Sequence, residues 1–273
     1  MKHSLPRLTR GSCIRHIAAV LLALSATRPA AAQTDYYNTD SGRPLTIEDA
    51  SATERYAFEL QLAPLRLERN RGGVYRWEAE PEIAYGILPR TQIEIGAPLS
   101  YLDVGSGSRQ LGLGGIELSV LHNLNVETMI PALAVAGDVV LPVGGFAPEQ
   151  AVFTAKGIAT RTIRRARFHL NAQYSWGDDD ISALSQWVAG VAVDRAFPLR
   201  ATLVGAEVFA RKVVLSSDDA VHWNAAVGIR RQVSPTFNID AGFGKQLNGE
   251  DRSWFVTLGV SHAFAVRSLL PGR

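Results

Sequence analysis

The chain has 273 residues, with 28 Lys and Arg against 26 Asp and Glu, six His and a single cysteine. The excess of base sits in the first 32 residues, which hold five basic residues and no acidic one, so the remainder carries a formal charge of −3 and gives no footprint for nucleic acid. Cys13 lies upstream of every predicted element, which excludes disulfide and thiol chemistry from the fold.

In chain order, residues 1–32 read as a secretory signal peptide. Lys2, Arg7, Arg10 and Arg15 form a positive leader, Ile17 to Ala26 a short apolar core, and Ala30 to Ala32 a small-residue cleavage point. The apolar core is shorter than the roughly 20 residues a membrane helix needs. Residues 33–53 are polar with Gly and Pro, and read as an extended or poorly ordered lead-in. About 241 residues follow the leader, without 18 consecutive apolar ones. If they cross a bilayer, they do so as a closed barrel.

From about residue 54 to 265 the chain alternates apolar and polar residues over segments of ten to fifteen. In Val74–Gly86, Tyr75, Trp77, Ala79, Pro81, Ile83 and Tyr85 share one parity. Arg76, Glu78, Glu80 and Glu82 share the other. A helix of period 3.6 cannot sort them so. Phe168-Leu170-Ala172-Tyr174-Trp176, Trp223-Ala225-Val227-Ile229 and Phe237-Ile239-Ala241-Phe243 repeat the pattern. The predicted strands are 54–68, 74–86, 91–103, 110–122, 127–142, 151–163, 166–177, 184–195, 199–213, 221–232, 236–246 and 253–265. Their even number suits an all-β, closed antiparallel transmembrane β-barrel of about 12 strands.

Connections after even-numbered strands are short, as at Leu88-Pro89-Arg90 and Arg164-Arg165. Those after odd-numbered strands are mostly longer, as at Gly105–Gln110, Gly144–Gln150, Gly177–Ser182 and Asn248–Ser253. This places both termini on the periplasmic side. The hairpin Asn70–Gly73 breaks the pattern. Residues 266–273 extend past Phe264 as a tail. Tyr75, Tyr85, Tyr101, Trp176, Trp187, Trp223 and Trp254 stand near strand ends, as aromatic girdles do.

With the apolar parity toward lipid, the polar parity lines a lumen. The candidates are Glu59, Arg76, Glu78, Glu80, Glu82, Glu94, Asp138, Lys156, Arg167, His169, Asn171, Arg200, His222, Arg230 and Asp240. Early strands are acidic and later ones basic or amide-rich, so ion pairs across a narrow bore could either plug it or set a transverse field in a pore. The dense Arg76/Glu78/Glu80/Glu82 row calls for a cationic partner, either Arg side chains or solute.

No catalytic constellation emerges, and no cofactor or metal site. A membrane esterase would need His169, with Asn171 on the same strand face, beside a serine. His169 falls on the polar parity, away from lipid. Gly112-Leu113-Gly114-Gly115 lies in strand context and reads as a bend or bulge. Acidic runs at Asp178–Asp180 and Asp218-Asp219 are solvated loop turns that could hold cations loosely, or contact a surface if the barrel is a non-conducting structural element.

Some of these stretches resemble a known group, the outer-membrane proteins of the MetA-pathway of phenol degradation family. The resemblance rests on Tyr85-Gly86, Arg90-Thr91-Gln92-Ile93-Glu94-Ile95-Gly96, Gly112-Leu113-Gly114-Gly115, Pro131-Ala132-Leu133-Ala134 and Leu141-Pro142-Val143-Gly144. Gly115 stands where the family usually has Asp. The resemblance implies a barrel in the Gram-negative outer membrane that passes small organic solutes. Outer-membrane lipid would surround it, and the barrel-assembly machinery would serve its biogenesis. It carries over no catalytic or ligand-binding residue.

Overall fold

A computed structural model describes residues 37–69, 73–103, 109–177, 185–214, 220–249 and 253–266. The predicted signal peptide, the tips of several long loops with their acidic runs, and the tail beyond Val266 lie outside the described residues. The alternation produces twelve antiparallel strands. These are β1 (Ala57–Arg69), β2 (Tyr75–Leu88), β3 (Thr91–Gly96, resuming as Leu99–Asp103), β4 (Arg109–Leu113, resuming as Ile116–Asn125), β5 (Ala132–Leu141) and β6 (Val152–Ile163). They continue as β7 (Ala166–Trp176), β8 (Gln186–Phe197), β9 (Thr202–Val213), β10 (His222–Ser234), β11 (Phe237–Gln246) and β12 (Trp254–Ala265).

Each strand pairs with its neighbours in sequence, and β1 pairs with β12, from Ala57 opposite Ala265 to Arg69 opposite Trp254. The sheet is therefore closed and has no free edge, which is what the bilayer interior demands of a β-structure. Both ends of the barrel chain emerge beside the short turns. β3 breaks at Ala97-Pro98 and β4 at Gly114-Gly115, where Gly114 N–H donates to Pro98 O and Gly115 has φ 134°. The glycine run is the bend that the sequence suggested.

Several strand ends differ from the sequence reading by two or more residues, and two of them have a clear cause. Asn125 remains in β4 and the turn covers residues 126–131, because Asn125 reaches across it. Its Nδ2 donates to Val126 O and Pro131 O, and its Oδ1 accepts from Leu133 N. Residues 198–200 form a 3₁₀ turn closed by Ala201 at positive φ, so β9 begins only at Thr202.

The two parities of the strands face opposite ways. Leu170, Trp187, Val227, Phe243 and Leu258 point out and are exposed, while His169, Asn171, Val188, Thr257 and Ser261 are buried inside. Outward rings cluster at both ends. Trp187 packs on Tyr174 and Trp176 on Phe153 near the long loops; Phe58 stacks on Tyr85 and Phe264 near the short turns. No helix among the described residues is long and apolar enough to cross a membrane.

Candidate functional site

The interior is occupied. Residues 38–56, most of them in the stretch expected to be an extended or poorly ordered lead-in, make one lap of the inner wall before entering β1. The segment starts against β11 and β1, where Arg43 meets Asp240 and Gln61. Pro44 O accepts from Thr257 of β12. The N–H groups of Thr46 and Ile47 both donate to the Glu207 carboxylate of β9, at 2.9 and 2.8 Å. Glu48 exchanges two backbone hydrogen bonds with Asn171 of β7. Ala50 lies between Thr160 of β6 and Asn123 of β4. Thr53 N–H reaches Gln92 of β3, and Tyr56 N–H reaches Gly86 of β2. Most of these contacts lie in the half of the strands nearer the short turns, with Asn171 at mid-strand and Thr257 nearer the long loops.

The physical logic is that of an extended strand without a ladder partner. Its buried N–H and C=O groups must be satisfied, and polar wall side chains do so. Leu45 and Ile47 pack with Val188, Ala192, Phe209, Ala226 and Phe255. Full burial of two such side chains contributes about 1.5–3 kcal/mol each. Room for them comes from inward glycines. Gly205, Gly228 and Gly242 stand directly opposite one another on β9, β10 and β11. A Cβ at Gly228 would lie 2.7 Å from Pro44, and one at Gly205 would lie 2.9 Å from Leu45.

Charge pins the belt further. Arg43 is fully buried and contacts Asp240 at 3.1 Å, Asp40 at 3.0 Å and Glu59 at 3.6 Å. Arg230 joins Asp40 at 2.8 Å, Lys156 joins Glu48 at 2.6 Å, and Arg167 joins Asp49 at 3.0 Å. The sequence led us to expect early acidic strands to pair with later basic ones across the bore. Instead the later cations are spent on the belt, because it lies between the two walls.

The remaining predicted residues fall as follows. Arg76 and Glu78 pair at 3.6 Å with largely open side chains near the long loops. They line an upper cavity of ≈570 Å³ with Arg66, Arg211 and the inward-folded Phe146. Glu80, Glu82, Glu94 and Asp138 line a lower cavity of ≈120 Å³ that Glu48 and Lys156 also border. His222 is half-buried beside Gln246 in the long-loop half. Arg200 is a correction: it lies exposed in the 3₁₀ turn and does not face the interior, since Pro198 starts a turn where a strand was expected.

His169 lies between the Asp194 carboxylate at Nε2 and the Thr160 hydroxyl at Nδ1, each 3.0 Å away. The sequence supplied no serine, and the structure supplies a threonine in its place. Yet Thr160 Oγ1 also accepts the Ala50 N–H, and Thr160, His169 and Asp194 are all buried. The line of polar groups ends on the belt and has no open face for a substrate.

Sequence reasoning missed Asp40, Arg43, Glu48 and Asp49 of the belt, and Glu117, Asp194 and Glu207 of the wall. One signal was available. β9 carries large apolar residues on both parities, Leu203 and Phe209 inside beside Glu207, and Val204 and Val208 outside. Large apolar side chains inside a barrel need something apolar to cover them.

A family model described as "Putative MetA-pathway of phenol degradation" matches residues 69–264. Among solved structures, the chain is similar to the COG4313 outer membrane channel from Pseudomonas putida F1. The TM-score is 0.60 at 12% identity, covering 83% of this chain and all of that one. It is also similar to the KdgM porin, with TM-score 0.52 at 11% identity, over 76% of this chain and 99% of the porin. A third is the translocator domain of the autotransporter NalP from Neisseria meningitidis, with TM-score 0.50 at 11% identity, over 92% and 97%. These likenesses are of fold. No curated protein matches the sequence.

Proposed function

We propose, from the premise that this chain belongs to the MetA-pathway of phenol degradation family, that it is a non-enzymatic outer-membrane channel for small organic or amphipathic solutes. The observation that carries this reading is the interior itself. A closed wall with an apolar outside encloses a polar upper cavity of ≈570 Å³, which meets a lower, acidic one at Glu80 and Glu117. The short-turn end and both termini face the periplasm in this reading, and the long loops face out. Solute enters from the long-loop side and meets the belt, so the described arrangement is the resting, closed one. Passage needs the belt to shift.

The same belt favours one alternative, a permanently sealed structural barrel, because so many of its groups are fixed to the wall. Single-channel recording in planar bilayers decides between them. The channel reading expects discrete conductance steps. It also expects cation selectivity to fall when Arg76, Glu78 and Glu80 are replaced by Gln. A folded, heat-modifiable barrel that gives no steps and no solute flux in liposomes overturns the channel reading and leaves the sealed barrel.

A further inference from the structure

The outer wall carries a groove of ≈550 Å³ across β10, β11, β12 and β1. Leu62, Leu65, Ile229, Ile239 and Leu258 line it, all outward and exposed, with the small Ala241 among them. Asp240 borders it too, but its carboxylate is turned inward to Arg43 at 3.1 Å. A bulge in β1 shapes the groove. Leu62 and Leu65 stand three residues apart, and regular alternation would send one of them inside. Instead four steps along β1, from Gln61 to Leu65, match three along β12, from Ser261 to Leu258. The extra residue keeps both leucines on the lipid face, and Pro64 within it brings no N–H to the ladder.

A second, independent feature is charge. Arg231 lines the groove on the side of the short turns. It holds an outward position between the exposed Ile229 and Val233, as Arg195 does between Val193 and Phe197. The two flank β9, Arg195 across from Val204 and Arg231 across from Thr202. Arg200 adds a third exposed guanidinium in the turn between β8 and β9. Among the described residues none of the three pairs with a carboxylate. A cation on the lipid face is costly at mid-membrane and nearly free at the interface. These three therefore mark the headgroup layer, where the anion at hand is phosphate, which a guanidinium binds through a fork of N–H donors.

We propose that this face binds one anionic glycerophospholipid, its phosphate on Arg231 with Arg195 and Arg200 beside it, and one acyl chain in the groove. The leaflet is the periplasmic one, a choice that rests on the short turns facing the periplasm. An ordinary boundary lipid needs neither feature. Here the charge selects the headgroup and the groove holds the chain. The site lies outside the lumen and does not depend on whether the barrel conducts.

The test is native mass spectrometry of the folded protein, delipidated in neutral maltoside at low salt. The ligands are dioleoyl phosphatidylglycerol, dioleoyl phosphatidylcholine and glycerophosphoglycerol, which has the anionic headgroup without chains. The site predicts saturable binding of one phosphatidylglycerol per barrel, about tenfold tighter than phosphatidylcholine, and no saturable binding of the chainless headgroup. Arg195→Gln/Arg231→Gln should abolish the preference for the anionic lipid. Ala241→Phe should weaken both lipids by filling the groove. Lys245→Gln, on the same strand and face as Ala241 but at the long-loop end, should change nothing. Every variant is scored as a heat-modifiable barrel, and the arginine and groove variants each test the site alone. Equal binding of the two lipids overturns the site, as does an equal loss in Lys245→Gln. So does a lipid-free dimer that Ala241→Phe disperses, which gives the groove to a second copy. Met129→Cys tests the leaflet separately, since Met129 is exposed in a short turn. Labelling by an impermeant maleimide only after the outer membrane is opened supports the periplasmic leaflet. Labelling in intact cells overturns that orientation, whatever the lipid binding in detergent.

Discussion

Gly228 illustrates how a single side-chain atom governs the interior. It is an inward position in β10, directly opposite Gly205 and Gly242, and Pro44 of the belt occupies the space a Cβ would need. Gly228→Val therefore evicts Pro44 and Leu45 while leaving the strand ladder intact, since valine is at home in strands. Loss of the buried Leu45 costs about 1.5–3 kcal/mol, so the exposed fraction of the belt should rise roughly ten- to hundredfold. Limited digestion with Glu-C protease, scored by cleavage after the buried Glu48, reads this directly. Equal protection in the variant would mean that the glycine row does not seat the belt. His169 makes a related point. Its placement between an aspartate and a hydroxyl resembles a catalytic line, yet what those groups do is hold Ala50 N–H. Chemistry by residue type has to be weighed against what already occupies the acceptor.

At the scale of elements, the belt and the strands have different claims to stability. Each strand satisfies its backbone through two neighbours, and closure through β1 and β12 leaves none unpaired. The belt satisfies its backbone through Glu207, Asn171, Thr160, Asn123 and Gln92 side chains instead. Apart from Tyr56 N–H to Gly86 O, its release costs no backbone hydrogen bond to a strand. Deleting residues 38–54 should therefore leave a folded, heat-modifiable barrel with single-channel conductance raised severalfold over the intact chain. Failure of the deletion to fold would make the belt part of the core, in line with its packing on Phe209 and Phe255. The bends at Ala97-Pro98 and Gly114-Gly115 belong to the same scale. They face each other through the Gly114 N–H to Pro98 O bond and stand beside the upper cavity, which both Pro98 and Gly114 line.

For the whole molecule, closure is the decisive property. An open twelve-strand sheet with the same residues would expose edges and could not sit in lipid. The seam is testable because Cys13 is the only native cysteine. Glu59 stands directly opposite Ala263 across β1 and β12. The pair Glu59→Cys/Ala263→Cys should oxidise readily in the folded protein and retain heat-modifiability. Placing the second cysteine at Leu258, several residues along β12, should give no cross-link. The reverse pattern would mean a different register or an open seam. The net charge of −3 beyond residue 32 also belongs here. Much of the acidic excess is gathered inside, around the lower cavity, where the wall shields it from salt more than a surface patch would be.

The sequence by itself determined the wall. Period-two alternation is a local property, so Tyr75 to Tyr85 or Phe168 to Trp176 announce which side meets lipid without any knowledge of their neighbours. The even strand count and the alternating turn lengths follow from the same local pattern, and the break at Gly114-Gly115 was legible because glycine pairs interrupt strands. What fills the barrel was not legible. Residues 38–56 have no periodicity, since their hydrogen bonds go to side chains scattered from Gln61 to Thr257, and a segment read for its own pattern looks like a loop. Arg43, Glu48 and Asp49 gain meaning only when closure brings Asp240, Lys156 and Arg167 to them. The acidic lower cavity was half legible, as a row in β2 that called for a cation. Only the tertiary structure decided that the available Lys and Arg are committed to the belt, because which charges meet in a closed barrel depends on register and on what the lumen already contains.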